Sequence, residues 1–80
     1  MTNEEILTSI EAALQNVTGN SDISLSAESK ASDVEEWDSL ANVRLFIEME
    51  GVFGVRFTAT DMDGLKDVGE MVSLVKAKLA

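Results

Sequence analysis

The chain has 80 residues, which indicates one domain, residues 1–80, built around one hydrophobic core. It contains no Cys and no His, so disulfides, Cys-based metal sites and nucleophiles activated by His are excluded. Fifteen acidic and six basic residues give a net charge of −9, which argues against binding nucleic acid or an anionic membrane through a basic face. The same charge favours partners with basic patches.

No apolar run in the sequence is long enough to span a membrane, because about 20 residues are needed. The N-terminus is acidic and therefore unlike the basic start of a secretory signal. We expect a cytoplasmic protein.

The first predicted element is a helix from about Asn3 to Val17. Its apolar residues recur at helical spacing on one face: Ile6, Ile10, Ala13, Leu14 and Val17. Thr2 and Glu5 fit a capping box at the start, and Gly19 tolerates the left-handed conformation that ends many helices. The pattern predicts an amphipathic helix packed on a core.

A long polar connection follows, over residues 18–37. Ile23 and Leu25 alternate with polar residues, and a lone strand would have nothing to pair with. We therefore expect the two side chains to fix the loop to the core. A short helical turn is expected near Ser26 to Lys30. Long ordered loops in small domains are often functional.

The second helix is predicted from Ser39 to Phe53, with Asp38 as its N-cap and Gly54 as its end. Helical spacing assigns six residues to its buried face: Leu40, Val43, Phe46, Ile47, Met49 and Phe53.

Two further helices complete the predicted fold. A short helical turn is expected over Thr58 to Leu65, with Thr60 as its N-cap. The last helix is expected over Val68 to Leu79, with Asp67 as its N-cap and a clear apolar stripe: Val68, Met71, Val72, Val75 and Leu79. The sequence therefore predicts an all-α four-helix bundle, with three main helices, one short helix and a long loop after the first.

Ser39 is the candidate functional residue. It follows the capping Asp38 at a helix start, and its hydroxyl should be exposed because the buried face is expected to begin at Leu40. The free N–H groups and the dipole at a helix N-terminus favour a phosphate group. The alternative is an ordinary helix start, because Asp-Ser before an apolar run is common.

The run Asp38-Ser39-Leu40 opens a helix and is followed by Ala-Asn-Val-Arg-Leu-Phe-Ile-Glu-Met-Glu and then Val-Phe-Gly. This segment resembles the signature of acyl carrier proteins, and the length, acidity, long loop and final apolar stripe are similar to that family as well. The resemblance implies that a phosphopantetheinyl transferase moves 4′-phosphopantetheine from coenzyme A onto Ser39. It further implies that the arm's thiol holds acyl or aminoacyl groups as thioesters, and that the protein is not an enzyme.

The resemblance also implies roles for the neighbours of Ser39. Asp38 would present Ser39 and orient the transferase, and Leu40 would pack at the base of the arm. A fatty chain on the arm could lie between the last three helices, against Val43, Phe46, Ile47, Met62, Met71 and Val75. The alternative for each of those side chains is that it only fills the core.

The second helix is the docking surface that the resemblance implies for partner enzymes, and the expected docking residues are Arg44, Glu48 and Trp37. Housekeeping carriers of fatty-acid synthesis usually place several acids along it, whereas this chain has Asn42 and Arg44 there. The Trp-Asp-Ser-Leu run is similar to the corresponding segment of carriers outside housekeeping fatty-acid synthesis. We therefore expect a dedicated lipid, polyketide or aminoacyl pathway. The expected partners are a ligase and acyltransferases with basic patches, and the chain is expected to be a monomer.

Four alternatives remain open from the sequence. Arg44 could form a surface pair with Glu48 one turn later, or could repel basic patches meant for another carrier. Trp37 could close the loop onto the bundle without touching a partner. The whole chain could be an acidic interaction domain without a prosthetic group. An enzyme with paired carboxylates is the remaining class, but no acid is placed by sequence in an apolar pocket.

Overall fold

A computed structural model describes all residues, 1–80, and contains four α-helices and no β-strand. The helices are α1 (Asn3–Thr18), α2 (Ser39–Phe53), α3 (Ala59–Asp63) and α4 (Val68–Leu79). A single turn of 3-10 helix, Ala31–Asp33, lies in the long loop between α1 and α2. The predicted all-α fold of three main helices and one short helix is confirmed. No helix combines the length and the apolar character needed to cross a membrane.

Local capping explains where the long helices begin and end. The side chains of Thr2, Asp38 and Asp67 each accept the backbone N–H three residues later, at the first turns of α1, α2 and α4. Gly19 and Gly54 end α1 and α2 at φ of 74° and 67°, which glycine adopts without a steric cost. The bounds of α2 and α4 match the sequence prediction, and α1 is one residue longer.

Two local predictions need correction. Helix α3 is capped by Thr58 and not by Thr60, because Thr58 Oγ1 accepts the Asp61 N–H at 3.1 Å while the Asp61 carboxylate accepts the Thr58 N–H at 2.9 Å. In the long loop, a hydrogen-bonded turn joins Ser26 and Ser29, whereas the helical turn follows it at Ala31–Asp33.

The long loop is held to the core as predicted. Ile23 and Leu25 are both buried. Two polar side chains of α1 support the backbone beside them: Gln15 Nε2 donates to the Ile23 carbonyl and Glu11 Oε2 accepts the Leu25 N–H, each at 2.8 Å. The loop backbone at Ile23 and Leu25 is therefore fixed to α1.

The same loop also contacts the start of α4. The backbone N–H groups of Val68 and Gly69 donate to the carbonyls of Ser29 and Ala27, at 2.9 and 2.8 Å. A Cβ on Gly69 would lie 3.0 Å from the Ala27 oxygen, a tight contact that favours glycine at this position. The N-terminal N–H groups of α4 are thus satisfied by the loop that crosses it.

The buried face of α2 differs from the predicted one. Leu40, Val43 and Ile47 are exposed, whereas Ala41 and Leu45 are buried. The remaining predicted members are buried as expected: Phe46, Met49 and Phe53. Because α2 carries apolar residues on nearly all sides, spacing alone does not choose the inner face, and packing against α1 decides it.

The fold contains one ion pair, Lys78 Nζ to Asp61 Oδ2 at 3.0 Å, although the net charge is −9. Most of the carboxylates therefore repel one another without a compensating cation. We expect the melting temperature to rise from low to moderate salt, and to rise further with divalent cations, as followed by circular dichroism. An unchanged melting temperature would show that repulsion does not limit stability.

Two carboxylates in helix caps, Glu5 and Asp61, have lowered pKa values. The backbone N–H of Thr2 lowers the pKa of Glu5, and the backbone N–H of Thr58, aided by Lys78, lowers the pKa of Asp61. Because the folded pKa lies below the unfolded one, each group stabilises the fold at neutral pH, and that contribution disappears as the pH falls through the depressed folded value, below about pH 4.

We therefore expect Asp61→Asn to melt at a lower temperature than the native chain at pH 7 and to lose less on acidification. The control is Glu35→Gln, which removes the same charge from an exposed loop residue. The melting temperatures of the two variants and the native chain, measured from neutral to acidic pH, test this expectation. Parallel curves for Asp61→Asn and the native chain would contradict the linkage.

Candidate functional site

Ser39 lies at the first position of α2, with its side chain exposed and without a hydrogen bond to the rest of the chain. Asp38 Oδ1 accepts the Ala41 N–H at 2.8 Å, which fixes the backbone on either side of Ser39. The hydroxyl is thus presented to solvent from a rigid helix start. Its predicted exposure is confirmed, although the predicted reason needs correction, because the buried face begins at Ala41 and Leu40 is exposed too.

The backbone around Ser39 offers two free donors. The N–H groups of Ser39 and Leu40 make no hydrogen bond within the chain, because the cap satisfies only Ala41 and the next amide, Asn42, reaches the Asp38 carbonyl. Both donors lie at the positive end of the dipole of a 15-residue helix. A phosphate ester on the Ser39 hydroxyl would meet these donors, so the residues present fit such a group.

Trp37 closes the loop onto α2. Trp37 is buried, with 6% of the residue exposed. Its indole Nε1 donates to Asn42 Oδ1 at 3.0 Å. The anchoring role considered from the sequence agrees with this geometry. A direct contact of Trp37 with a partner enzyme stays a prediction, and the burial restricts such a contact to the small exposed edge of the ring.

A cavity of about 130 Å³ lies beside Trp37, between the loop, α2, α3 and the start of α4. Its lining combines apolar and polar side chains: Ala31, Trp37, Asn42, Phe46, Met62, Leu65, Lys66, Asp67 and Met71. This volume is below the roughly 300–1,000 Å³ of ordinary small-molecule sites. A long acyl chain would enter only if the surrounding helices moved apart.

The lining corrects part of the predicted acyl contact set. Phe46, Met62 and Met71 line the cavity as expected. Val75 is fully buried in the core, while Val43 and Ile47 are exposed on another side of α2. For Val43 and Ile47, the error follows from the misassigned buried face of α2.

Ser39 and the cavity share one side of α2. Asn42 and Phe46 follow Ser39 by three and seven residues, so the three side chains lie along the same face of the helix. Asn42 and Phe46 both line the cavity. A flexible group on Ser39 could therefore follow this face towards the cavity.

Both acidic side chains of α2 accept a hydrogen bond from another part of the chain. Glu48 Oε2 accepts Asn16 Nδ2, and Glu50 Oε2 accepts the Phe57 N–H, each at 2.9 Å. Arg44 is exposed and forms no ion pair, so the surface pair with Glu48 considered from the sequence does not form.

The structure contains no cluster of three or more acidic side chains that could hold a metal ion. No charged or polar residue is fully buried, although Asp67 lines the cavity beside Trp37.

The cap at Ser39 yields a specific stability prediction. Asp38→Ala should lower the free energy of unfolding by about 1 kcal/mol, because the Ala41 N–H loses its acceptor. Asp38→Asn should stay close to the native value, because asparagine caps helices about as well as aspartate. Urea unfolding of the two variants measures the difference. Equal losses in both variants would mean that the charge, and not the cap, stabilises the helix start.

Comparisons with known proteins identify the family of the chain. A scan against models of protein families matched none of them. The acyl carrier protein of Thermotoga maritima is 30% identical over 76 residues, which cover 95% of this chain and 94% of that protein. Meromycolate extension acyl carrier proteins of Mycobacterium leprae and Mycobacterium tuberculosis are also 30% identical over 76 residues, and the chain spans 66% of their length.

A solved structure shares the fold. The solution structure of the holo acyl carrier protein from Geobacter metallireducens aligns with a TM-score of 0.84 and 30% identity, covering 92% of this chain and 85% of that one. Its likeness extends over the helical bundle described above. Since sequence and fold agree over nearly the whole chain, this protein belongs to the acyl carrier protein family.

Proposed function

We propose that Ser39 carries a covalent 4′-phosphopantetheine arm and that residues 1–80 act as one carrier domain. The observation that carries this proposal is the exposed Ser39 hydroxyl, free of hydrogen bonds, beside two free backbone N–H groups at a helix start. Proteins of this family are carriers and not enzymes. The arm supplies the thiol on which acyl or aminoacyl groups are held as thioesters.

The residues around Ser39 divide the task of presenting the arm. The N–H groups of Ser39 and Leu40 would hold the phosphate, and the capping Asp38 keeps the helix start rigid. The exposed Leu40 side chain offers an apolar surface at the base of the arm. Asn42 and Phe46 lie along the face that leads to the cavity.

The proposed partners are a phosphopantetheinyl transferase, an acyl or aminoacyl ligase and acyltransferases. The net charge of −9 steers the chain towards enzymes with basic patches. A dedicated pathway, lipid, polyketide or aminoacyl, is favoured over bulk fatty-acid synthesis because α2 carries Asn42 and Arg44 early in the helix and acids only at Glu48 and Glu50. The names of the mycobacterial relatives, which refer to meromycolate extension, favour the lipid option. A monomeric, cytoplasmic carrier remains the expectation from the sequence.

The test is the intact mass of apo protein after incubation with coenzyme A, magnesium and a broad-specificity phosphopantetheinyl transferase. We expect the mass of one arm to be added. Trypsin cleaves after Lys30 and Arg44, so the modified peptide should be residues 31–44, whose two serines are Ser32 and Ser39. Fragmentation of this peptide should place the arm on Ser39.

No added mass on folded apo protein, across several transferases, would overturn the proposal. The chain would then act as an acidic interaction domain without a prosthetic group. Competition with DNA for a basic partner protein would test that alternative directly.

A further inference from the structure

The wall of the cavity beside Trp37 includes two methionine side chains. Met71 on α4 is 3% exposed, and Met62 on α3 is half-buried. Thioether side chains are unbranched and adapt to the space around them, so they fill a gap between helices closely. The two methionines therefore occupy space that an acyl chain would need between α3 and α4, and a cavity of about 130 Å³ remains.

Helix α3, which carries Met62, is held to the rest of the bundle. Asp61, the residue before Met62, forms the ion pair with Lys78 of α4 at 3.0 Å. The Lys78 ammonium also lies 5.5 Å from the centre of the Phe57 ring, which packs edge-on against Phe46 at a centroid distance of 5.0 Å. Phe46 is itself part of the cavity wall. Moving α3 away from α4 would break these contacts, so they favour the small cavity.

Three polar side chains line the same cavity and have hydrogen-bonding groups without a partner in the chain. Asn42 Oδ1 accepts the Trp37 indole N–H, and Asn42 Nδ2 donates to nothing. The Lys66 ammonium makes no ion pair, and Asp67 uses only Oδ1, which accepts the Glu70 N–H. Because Lys66 and Asp67 carry opposite charges, the lining has no net charge. It therefore suits a neutral polar group better than an ion.

We propose that Met62, Met71 and Asn42 select the cargo: the cavity takes a short acyl group with an oxygen beyond the thioester carbonyl and excludes a long aliphatic chain. The inference rests on the proposed function, since the acyl group arrives on the Ser39 arm, along the face of α2 that Asn42 shares with Ser39. An oxo oxygen on the cargo accepts a hydrogen bond from Asn42 Nδ2, and the methionines contact the neighbouring carbons. A long chain finds too little space to be buried and stays outside the bundle.

The test compares three loaded forms of the chain. They are made from apo protein with a broad-specificity transferase and butyryl-, acetoacetyl- or dodecanoyl-coenzyme A. Butyryl and acetoacetyl groups have the same number of carbons and differ by one oxo group, so their comparison isolates the oxygen. Each form is compared with the holo form of the same variant by urea unfolding and by the side-chain amide signals of Asn42 in nitrogen-15 NMR spectra.

In the native chain, the acetoacetyl group should raise the urea midpoint by about 0.5–1 M, as one net hydrogen bond does in a small domain, and should shift the Asn42 Nδ2 protons. The butyryl group should raise the midpoint by clearly less, and the dodecanoyl group should change neither quantity. Asn42→Asp should remove the difference between acetoacetyl and butyryl, because it keeps the acceptor for Trp37 and loses the donor.

Met62→Ala should allow the dodecanoyl group to raise the midpoint by about 0.5 M or more, because the truncation opens space in which methylenes are buried. Met62→Val, a milder truncation, replaces it if that chain is unfolded. The matched control is Leu74→Ala, which shortens a half-buried apolar side chain of α4 that does not line the cavity. Its dodecanoyl and holo forms should unfold at the same midpoint.

A rise of the midpoint with dodecanoyl in the native chain, or equal midpoints for its acetoacetyl and butyryl forms, would overturn the inference. An acetoacetyl advantage that survives in Asn42→Asp would assign the oxygen to Lys66 and contradict the role of Asn42. Failure of the native apo chain to accept any of the three arms would refute the proposed function instead. Loading without these differences would refute only the selection of cargo.

Discussion

Ser39→Ala should abolish loading with the phosphopantetheine arm while leaving the fold unchanged. The only hydroxyl presented beside free N–H groups at the start of α2 is lost, so no nucleophile remains there. The Ser39 side chain is exposed and makes no hydrogen bond, so the free energy of unfolding should change by no more than about 0.5 kcal/mol. Intact mass after the transferase reaction and urea unfolding measure the two quantities.

Ser32→Ala is the matched control, because Ser32 is exposed, lies in the same tryptic peptide and makes no hydrogen bond. It should accept one arm as the native chain does. An arm on Ser39→Ala, or its loss from Ser32→Ala, would move the attachment site to Ser32. A Ser39→Ala chain that is unfolded would contradict the geometry of the helix start.

The helix starts could be predicted from the sequence because capping is local. Thr2, Asp38 and Asp67 each act on a backbone group three residues away, and Gly54 ends α2 through its own conformation. The position of Ser39 follows directly from the cap at Asp38. The most important residue of the candidate site was therefore accessible from a short stretch of sequence.

The outer face of α2 could not be predicted in the same way. Apolar residues occur on nearly every side of this helix, so spacing left the choice between Leu45 and its neighbours Val43 and Ile47 undecided. Contacts with α1 make that choice. Leu40, Val43 and Ile47, which are exposed, were consequently assigned to the core.

The partners of the charged groups on α2 could not be predicted from the sequence either. Glu48 has Arg44 one turn before it, which favours a surface pair on local grounds. Instead, Asn16, which lies 32 residues away along the chain, donates a hydrogen bond to the Glu48 carboxylate. Since the competitor comes from α1, only the packed bundle shows that Arg44 is free.

The sequence allows two roles for Trp37, an anchor of the loop and a docking residue for partner enzymes. Its contacts suggest a test that separates the two. The hydrogen bond from its indole to Asn42 spans five residues and crosses the loop–helix boundary, where no local rule predicts it. If Trp37 is an anchor, its removal should cost stability. If it is a docking residue, its removal should cost turnover by partner enzymes.

Trp37→Ala should lower the free energy of unfolding by about 3–5 kcal/mol, because a buried indole is replaced by a cavity. That is a large share of the roughly 5–15 kcal/mol that stabilises a typical domain. Asn42→Ala should cost only about 1 kcal/mol, since it removes the acceptor and keeps the ring. Urea unfolding followed by helical circular dichroism gives both values, and light scattering checks that neither variant aggregates.

The loading rate then completes the argument. An anchor should slow the loading of Trp37→Ala only as far as the loop before Ser39 loses its fixed geometry, and the slowing should diminish under conditions that restore the fold, such as added salt. A Trp37→Ala chain of native stability that loads or docks poorly would instead make the indole a contact for the partner. The anchoring role would then be wrong, and the exposed edge of the ring would join Arg44 among the expected docking residues.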